Sequence, residues 1–170
     1  MPRTFLAPAH PSTISTRQKG VKVDRIVLHD IEGTFLGAIA WFQGENGVSS
    51  HYVVSRQGDI CQMVDDDKKA NHAGGYNSRS IGVEMEARLD PWPARLHRDG
   101  SVKPPPFPVN EWPEAMLLSA AKVVAIMCRK FGIPLDREHV VGHYEVPGAS
   151  HRDPGTGFPW DTLMEMAHGA

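Results

Sequence analysis

Short apolar runs in the first half of the chain alternate with one helical pattern. Val23–Asp30 is rich in β-branched residues and predicts a strand. Thr34–Gln43 has its apolar side chains at helical spacing, so we predict a short helix with the threonine as its N-terminal cap. Residues 50–64 predict two strands joined by a turn at Arg56–Asp59, and Ser78–Ala87 predicts a further strand.

The second half of the chain contains the longest predicted helix. Glu111–Phe131 carries an apolar stripe at helical spacing, and Gly132 is expected to end the helix. Before it, residues 90–113 are rich in proline and predict a long surface loop. His139–His143 predicts a last strand, and Pro159–His168 predicts a short C-terminal helix.

Strands that alternate with helices indicate an α/β fold. We predict a central mixed β-sheet flanked by α-helices, with the first part of the chain laid over it as an extended arm. The length of 170 residues fits one domain, so we expect residues 1–170 to form a single domain.

The charge of the chain is nearly balanced, with 18 basic and 20 acidic residues. This balance argues against a nucleic-acid partner, which would favour a basic surface. No run approaches the ~18 consecutive apolar residues of a membrane span, and the N-terminus lacks the apolar core of a secretory signal peptide. Cys61 and Cys128 are too few for a disulfide framework and are expected to be buried thiols. We expect the chain to act as a monomer.

Two of the predicted strands end in or beside a histidine, which is the first indication of chemistry. His29 and His143 could converge, because strand ends in α/β proteins open onto the edge of the sheet where sites form. Asp153 follows in a tight Asp-Pro-Gly turn. Two neutral imidazoles and one carboxylate suit a catalytic zinc site with an open position, where bound water loses a proton near pH ~7.

The motifs of several other hydrolases are missing from the sequence. The chain has no HExxH motif of a thermolysin-like protease and no GxSxG motif of a serine hydrolase. His143 begins an H-x-E triplet, but no PCxxC motif follows it as in the nucleobase deaminases. These absences favour a different kind of zinc site.

Four sequence blocks resemble one known family when they are taken in order. They are IVLHDIEG, SSHYVVSRQGDI, NHAGGYNSRSIGVEMEA and VVGHYEVPGASHRDPG. This order and spacing resemble the zinc-dependent N-acetylmuramoyl-L-alanine amidases, which share their fold with the phage lysozyme-like amidases and the peptidoglycan-recognition proteins. The resemblance runs from about Ala7 to Met164 and is greatest to actinobacterial and phage enzymes.

The resemblance implies three metal ligands and one catalytic carboxylate. His29, His143 and Asp153 match the ligands of a single Zn²⁺ ion, although some relatives carry cysteine in the third place. Glu84 matches a glutamate proposed to activate the zinc-bound water, a task that suits a carboxylate facing the metal. Glu86 would lie on the same strand face by alternation and is the rival candidate.

The main departure from the family pattern is His151, where many members have a lysine thought to stabilise the oxyanion of the intermediate. A histidine can donate the same hydrogen bond but carries a positive charge only when protonated, so we predict a catalytic role with an altered pH dependence. His72 and Asn77 match a cleft loop and are predicted to bind substrate, although His72 could also support the metal site or be a plain surface residue. Ser50 stands where the phage lysozyme-like members have a catalytic tyrosine, and we assign it no such role.

The function that the resemblance implies is hydrolysis of the amide between N-acetylmuramic acid and L-alanine in peptidoglycan. The substrate would be the glycan strand with its stem peptide, and the enzyme would act on the cell wall after secretion or release through a holin pore. Two alternatives stay open. One is a non-catalytic peptidoglycan-binding module of the same fold, which would be free to lose Asp153 and Glu84; the other is a zinc peptidase that cuts within the stem peptide.

Overall fold

The computed structural model describes residues 2–88, 108 and 110–170, and all structural statements below concern this part of the chain. The strands are β1 (Thr4–Leu6), β2 (Ser15–Thr16), β3 (Arg25–Asp30), β4 (Tyr52–Val54), β5 (Ile60–Gln62), β6 (Lys68–Lys69), β7 (Ser80–Met85) and β8 (Val140–Gly142). The helices are α1 (Phe35–Gln43), α2 (Glu114–Phe131) and α3 (Trp160–His168), and short 3₁₀ turns span Pro11–Thr13, Gly74–Tyr76 and His143–Glu145.

The larger sheet of the described residues has the strand order β1-β5-β4-β7-β3-β8. Strand β4 pairs antiparallel with β5, whereas the pairs β4–β7, β7–β3 and β3–β8 are all parallel. Strands β2 and β6 form a separate antiparallel pair. The predicted α/β fold with a central mixed sheet and flanking helices is therefore confirmed.

The two faces of the sheet bury different side chains because successive residues of a strand point to opposite faces. In β3, Ile26 and Leu28 pack into the apolar cluster that contains helices α2 and α3. Val27, on the opposite face, packs with Val141 and Val146 in a smaller cluster. By the same alternation, His29 lies on the Val27 face, away from helix α2.

The helices follow their sequence signals, with one shift. Thr34 caps α1 as predicted, since its hydroxyl oxygen accepts a hydrogen bond from the backbone N–H of Gly37 at 3.2 Å. Helix α2 begins at Glu114 instead of the predicted Glu111, because Pro113 disfavours helical backbone in the residue before it. Gly132 ends this helix in the left-handed conformation, with φ of 66°.

The N-terminal arm takes part in the sheet, which the sequence did not predict. Strand β1 extends the sheet at its edge by pairing parallel with β5, and Arg3 forms an ion pair with Asp59 in the turn before β5. The predicted surface loop at 90–113 lies mostly outside the described residues. Within the described part of the chain, no helix combines the length and the apolar character that crossing a membrane requires.

Three strands of the sheet place a polar side chain at the same edge. Strand β3 lies between β7 and β8, and both neighbours run parallel to it. His29 in β3 is in register with Glu84 in β7, and His143 follows directly after β8. Because parallel strands end at the same edge of a sheet, these three side chains start from adjacent positions.

Candidate metal centre

Three side chains with metal-binding atoms meet at the edge of the sheet. The Nδ1 atom of His29 lies 2.8 Å from Oδ2 of Asp153, and Nδ1 of His143 lies 3.1 Å from Oδ1 of the same carboxylate. One ligand atom from each of these three residues lies within 4.8 Å of the others. Tetrahedral ligands of zinc stand ~3.3 Å apart when each bond is ~2.05 Å, so a small rearrangement is enough to hold one ion.

The loop that carries Asp153 is held against His143 by close packing at Gly142. A Cβ atom at Gly142 would lie 2.6 Å from the ring of Tyr144 and 2.9 Å from Cδ of Pro154. Only a glycine therefore lets both side chains approach the end of β8. The backbone N–H of Tyr144 also donates to the carbonyl oxygen of Asp153 at 3.2 Å, which closes the loop.

The predicted convergence of His29, His143 and Asp153 is present in the structure, and their role as metal ligands stays a prediction. The side chain of His29 reaches the site from within β3, as expected. His143 differs slightly from expectation, because β8 ends at Gly142 and the histidine begins the following 3₁₀ turn.

The ionisation states of His29 and Asp153 suit a metal. Burial lowers the pKa of His29, against the opposing effect of its contact with Asp153. Burial would raise the pKa of Asp153, but its contacts with His143 and His29 hold this pKa below its ordinary value. Near neutral pH, the site therefore offers a neutral imidazole and an ionised carboxylate, which are the forms that bind zinc.

Two further carboxyl groups lie close to this cluster. Burial raises the pKa of Glu84 well above its ordinary value, and the negative charges of Asp153 and Asp30 add to the effect. Asp30, directly after His29, is also buried, and its pKa rises to about 8 for the same main reason. Three carboxyl groups that repel one another in a buried region are stabilised by a cation, so the charge of the site fits a divalent metal.

Glu86, the rival of Glu84, is engaged elsewhere. Strand β7 ends at Met85, and the carboxylate of Glu86 accepts the backbone N–H of Phe35 at 2.8 Å and that of Arg56 at 2.9 Å. Glu86 therefore anchors the N-terminus of α1 and the turn after β4. Among the described residues, no backbone N–H group donates to the carboxyl group of Glu84.

His151 lies at the open side of the site. Its side chain is exposed, and its ring stacks on that of His143 with a centroid distance of 5.4 Å and an angle of 28° between the planes. This position leaves the ring nitrogens of His151 within reach of a group that enters from solvent. The predicted catalytic role is compatible with this place and stays a prediction.

His72 contacts both the cluster and Asn77. The Nδ1 atom of His72 lies 3.0 Å from Nε2 of His29, on the side of that ring opposite Asp153. The side-chain oxygen of Asn77 accepts the backbone N–H groups of His72 and Ala73 at 2.8 and 2.7 Å. Asn77 therefore fixes the loop that presents His72, and the predicted binding of substrate by these two residues stays untested.

The remaining histidines and the cysteines are structural or peripheral. His51 is fully buried, and its Nδ1 accepts the backbone N–H of Gly82 at 3.0 Å. Both cysteines are free and buried, as predicted. His10 and His139 are half-buried, and each lies close to a carboxylate, Glu45 and Asp136 respectively, whereas His97 lies outside the described residues.

Three residues of the site were missed from the sequence: Asp30, Ser80 and Gly82. Asp30 had no distinctive signal, because an acidic residue at a strand end is usually exposed and its burial is visible only in the structure. Ser80 and Gly82 contact His72 across the sheet edge, and no local pattern distinguishes them from ordinary strand residues.

Comparison with known proteins agrees with this geometry. Residues 19–156 match the Amidase_2 family, described as N-acetylmuramoyl-L-alanine amidase. N-acetylmuramoyl-L-alanine amidase A from Achromobacter lyticus is 27% identical over 181 residues, which cover 95% of this chain and 92% of that protein.

Two solved structures illustrate the shared fold. The amidase AmiD from E. coli superimposes with a TM-score of 0.67 at 24% identity, over 88% of this chain and 60% of AmiD. The amidase LysC from Clostridium intestinale superimposes with a TM-score of 0.66 at 14% identity, over 99% of both chains. Because the family match covers most of the sequence, including His29, His143 and Asp153, this chain belongs to the N-acetylmuramoyl-L-alanine amidase family and is a peptidoglycan amidase.

Proposed function

We propose that this amidase works with one zinc ion held by His29, His143 and Asp153, and that residues 1–170 form one catalytic domain. The observation that carries the proposal is the meeting of two imidazoles and one carboxylate at the edge of the sheet. Three protein ligands leave a fourth position for water or substrate, as catalytic zinc sites require. Imidazole ligands favour zinc over magnesium or calcium, which prefer oxygen.

A zinc ion bound there would polarise the scissile carbonyl group and make hydroxide available at neutral pH. Glu84 is then the general acid and base, because it is buried beside the ligands and, among the residues that the structure describes, no backbone N–H group occupies its carboxyl group. It takes a proton from the attacking water and returns it to the leaving amine of L-alanine. A metal ion held by the three ligands would lower the high pKa of Glu84 and so favour the carboxylate form that takes the proton.

His151 stabilises the oxyanion of the tetrahedral intermediate from the open side of the site. Its ring is exposed and stacked beside that of His143, so an N–H group can point towards the reacting carbonyl. Substrate would enter from the same side, with its stem peptide near the loop that contains His72 and Asn77. AmiD was solved with anhydro-N-acetylmuramic acid carrying L-Ala-D-γ-Glu-L-Lys, a ligand of the same class.

The cellular setting that fits this activity is breakdown of the cell wall by a phage endolysin or a bacterial lytic enzyme, reaching the wall by secretion or through a holin pore. A non-catalytic binding module is disfavoured, since the chain retains both the ligand Asp153 and the acid/base candidate Glu84. A peptidase within the stem peptide has no supporting motif in the sequence.

The test of the proposal is the metal content of the purified protein. We expect one equivalent of zinc per chain by inductively coupled plasma mass spectrometry, and less than a tenth of an equivalent in His143→Ala. His139→Ala is the matched control, because His139 lies just before β8 and pairs with Asp136 instead of Asp153. A wild-type protein that is active without bound metal would contradict the proposal.

Replacing His151 with lysine is expected to extend activity towards alkaline pH. A lysine side chain keeps its positive charge to higher pH than a histidine side chain does. If the charge stabilises the oxyanion, the alkaline limb of kcat therefore lies at higher pH in His151→Lys than in the wild type. The measurement is kcat as a function of pH for both proteins, and superimposable alkaline limbs would show that the charge is unimportant.

A further inference from the structure

The ring of His29 has a protein partner on each side. Its Nδ1 faces the carboxylate of Asp153 at 2.8 Å, and its Nε2 faces Nδ1 of His72 at 3.0 Å. The two imidazole planes are almost perpendicular, at 85°, so the His29 Nε2 atom can point at the edge of the His72 ring. A neutral imidazole has one N–H group, and its partners decide which nitrogen carries it.

The contact of Nε2 of His72 with Ser80 determines which ring donates the hydrogen bond between His29 and His72. Its Nε2 lies 3.0 Å from the hydroxyl oxygen of Ser80, and that hydroxyl donates to the carbonyl oxygen of Tyr76 at 2.7 Å. The single hydroxyl hydrogen of Ser80 is used by Tyr76, so Nε2 of His72 must be the donor to Ser80. Nδ1 of a neutral His72 is then an acceptor, and it takes a hydrogen bond from Nε2–H of His29.

Gly82 makes room for the His72 ring over strand β7. A Cβ atom at this position would stand 2.7 Å from Cγ and Nδ1 of His72, and equally close to the hydroxyl of Ser50. Any other residue would displace the His72 ring. The contacts of Asn77 with the backbone at His72 fix the same ring from the opposite end.

We propose that His72, held by Ser80 and Gly82, is a positioning residue that fixes His29 in the tautomer with its proton on Nε2. The proposal rests on the proposed zinc site. In this tautomer, Nδ1 of His29 presents a lone pair towards a carboxylate oxygen of Asp153 2.8 Å away. Two lone pairs at this distance repel each other unless a proton or a metal ion lies between them, and the hydrogen-bond chain through His72 keeps the His29 proton on the other nitrogen, so the pair is left ready to bind a metal.

The tautomer of His29 is directly measurable. Long-range ¹H–¹⁵N NMR spectra of the full chain, freed of metal by a chelator, distinguish a protonated Nε2 from a protonated Nδ1. We expect His29 to have its proton on Nε2 and His72 to have its proton on Nε2 as well. A His29 proton on Nδ1, shared with Asp153, would overturn the proposal, and this measurement needs no variant.

A pair of variants with the same shape tests the effect on zinc. His72→Asn keeps an acceptor oxygen close to the position of Nδ1, whereas His72→Leu removes it. We expect His72→Leu to raise the dissociation constant for zinc by 10–100-fold, the usual effect of losing such a partner, and His72→Asn to stay closer to the wild type. His168→Leu is the control, because His168 is exposed on helix α3.

The role of His72 and the zinc site can each be contradicted without the other. Equal zinc affinities in the Asn and Leu variants would overturn the role of His72 and leave the zinc site intact. A wild-type chain that binds no zinc would overturn the zinc site itself. If His72→Leu does not fold, the tautomer of His29 in the wild type decides the question alone.

Discussion

Removing the metal with a chelator is expected to abolish peptidoglycan hydrolysis while leaving most of the fold in place. Lewis-acid activation supplies several kcal/mol of transition-state stabilisation, and each ~1.4 kcal/mol is a factor of ten in rate, so we expect a loss of ~10³-fold or more. The fold should persist, because the core between the sheet and helix α2 includes fully buried residues such as Ile26, Leu28 and Val140 and none of the ligands.

The measurement is hydrolysis of purified peptidoglycan before chelation, after chelation and after addition of zinc, with circular dichroism recorded at each step. We expect activity to disappear and return while the spectrum stays nearly constant. The His143→Ala variant should behave like the chelated protein and should not recover with zinc, whereas His139→Ala should behave like the wild type. Activity that persists in a protein shown to be free of metal would contradict this prediction.

Glu84→Gln is expected to lower kcat by about 10²–10⁴-fold, the usual contribution of a general acid or base. Glutamine has nearly the same shape but cannot take a proton from water. Because Glu84 is not one of the three proposed ligands, zinc content should stay near one equivalent. The measurement is kcat together with zinc content, so that loss of chemistry is separated from loss of metal.

Glu86→Gln is the matched control, since the two glutamates are separated by one residue and differ in their contacts. Both carboxylate oxygens of Glu86 accept backbone N–H groups, and an amide would turn its own N–H towards one of these donors. We therefore expect a loss of about 1–3 kcal/mol in the free energy of unfolding, with kcat changed much less than in Glu84→Gln. If Glu86→Gln had the large effect on kcat instead, the assignment of the catalytic glutamate would be reversed.

The sequence predicted the elements that have local signals. Thr34 and Gly132 mark helix ends through capping, and each does so in the structure. The start of α2 was predicted too early, at Glu111, because the prediction carried the helix across Pro113. In the structure the helix begins at Glu114, since a proline disfavours helical backbone in the residue before it. The pairing of β1 with β5 could not be predicted, because the three residues of β1 do not specify which distant strand they pair with.

For the site, the positions of the ligands could be predicted and their surroundings could not. His29 and His143 stand at the ends of neighbouring parallel strands, so their convergence follows from topology. Strand alternation made Glu84 and Glu86 equivalent, and only the three-dimensional contacts of Glu86 distinguish them. The contact of His72 with His29 depends on the missing side chain of Gly82, which no periodicity reveals.

The most direct test of the central claim is mass spectrometry of the products released from purified peptidoglycan by the zinc-loaded protein. A peptidoglycan amidase of this family releases intact stem peptides with a free amino group on L-alanine and leaves glycan strands with free lactyl carboxyl groups on N-acetylmuramic acid. We expect these products from the wild type and none from Glu84→Gln over the same time. Peptide fragments cut within the stem, or glycan fragments with peptides still attached, would contradict the account.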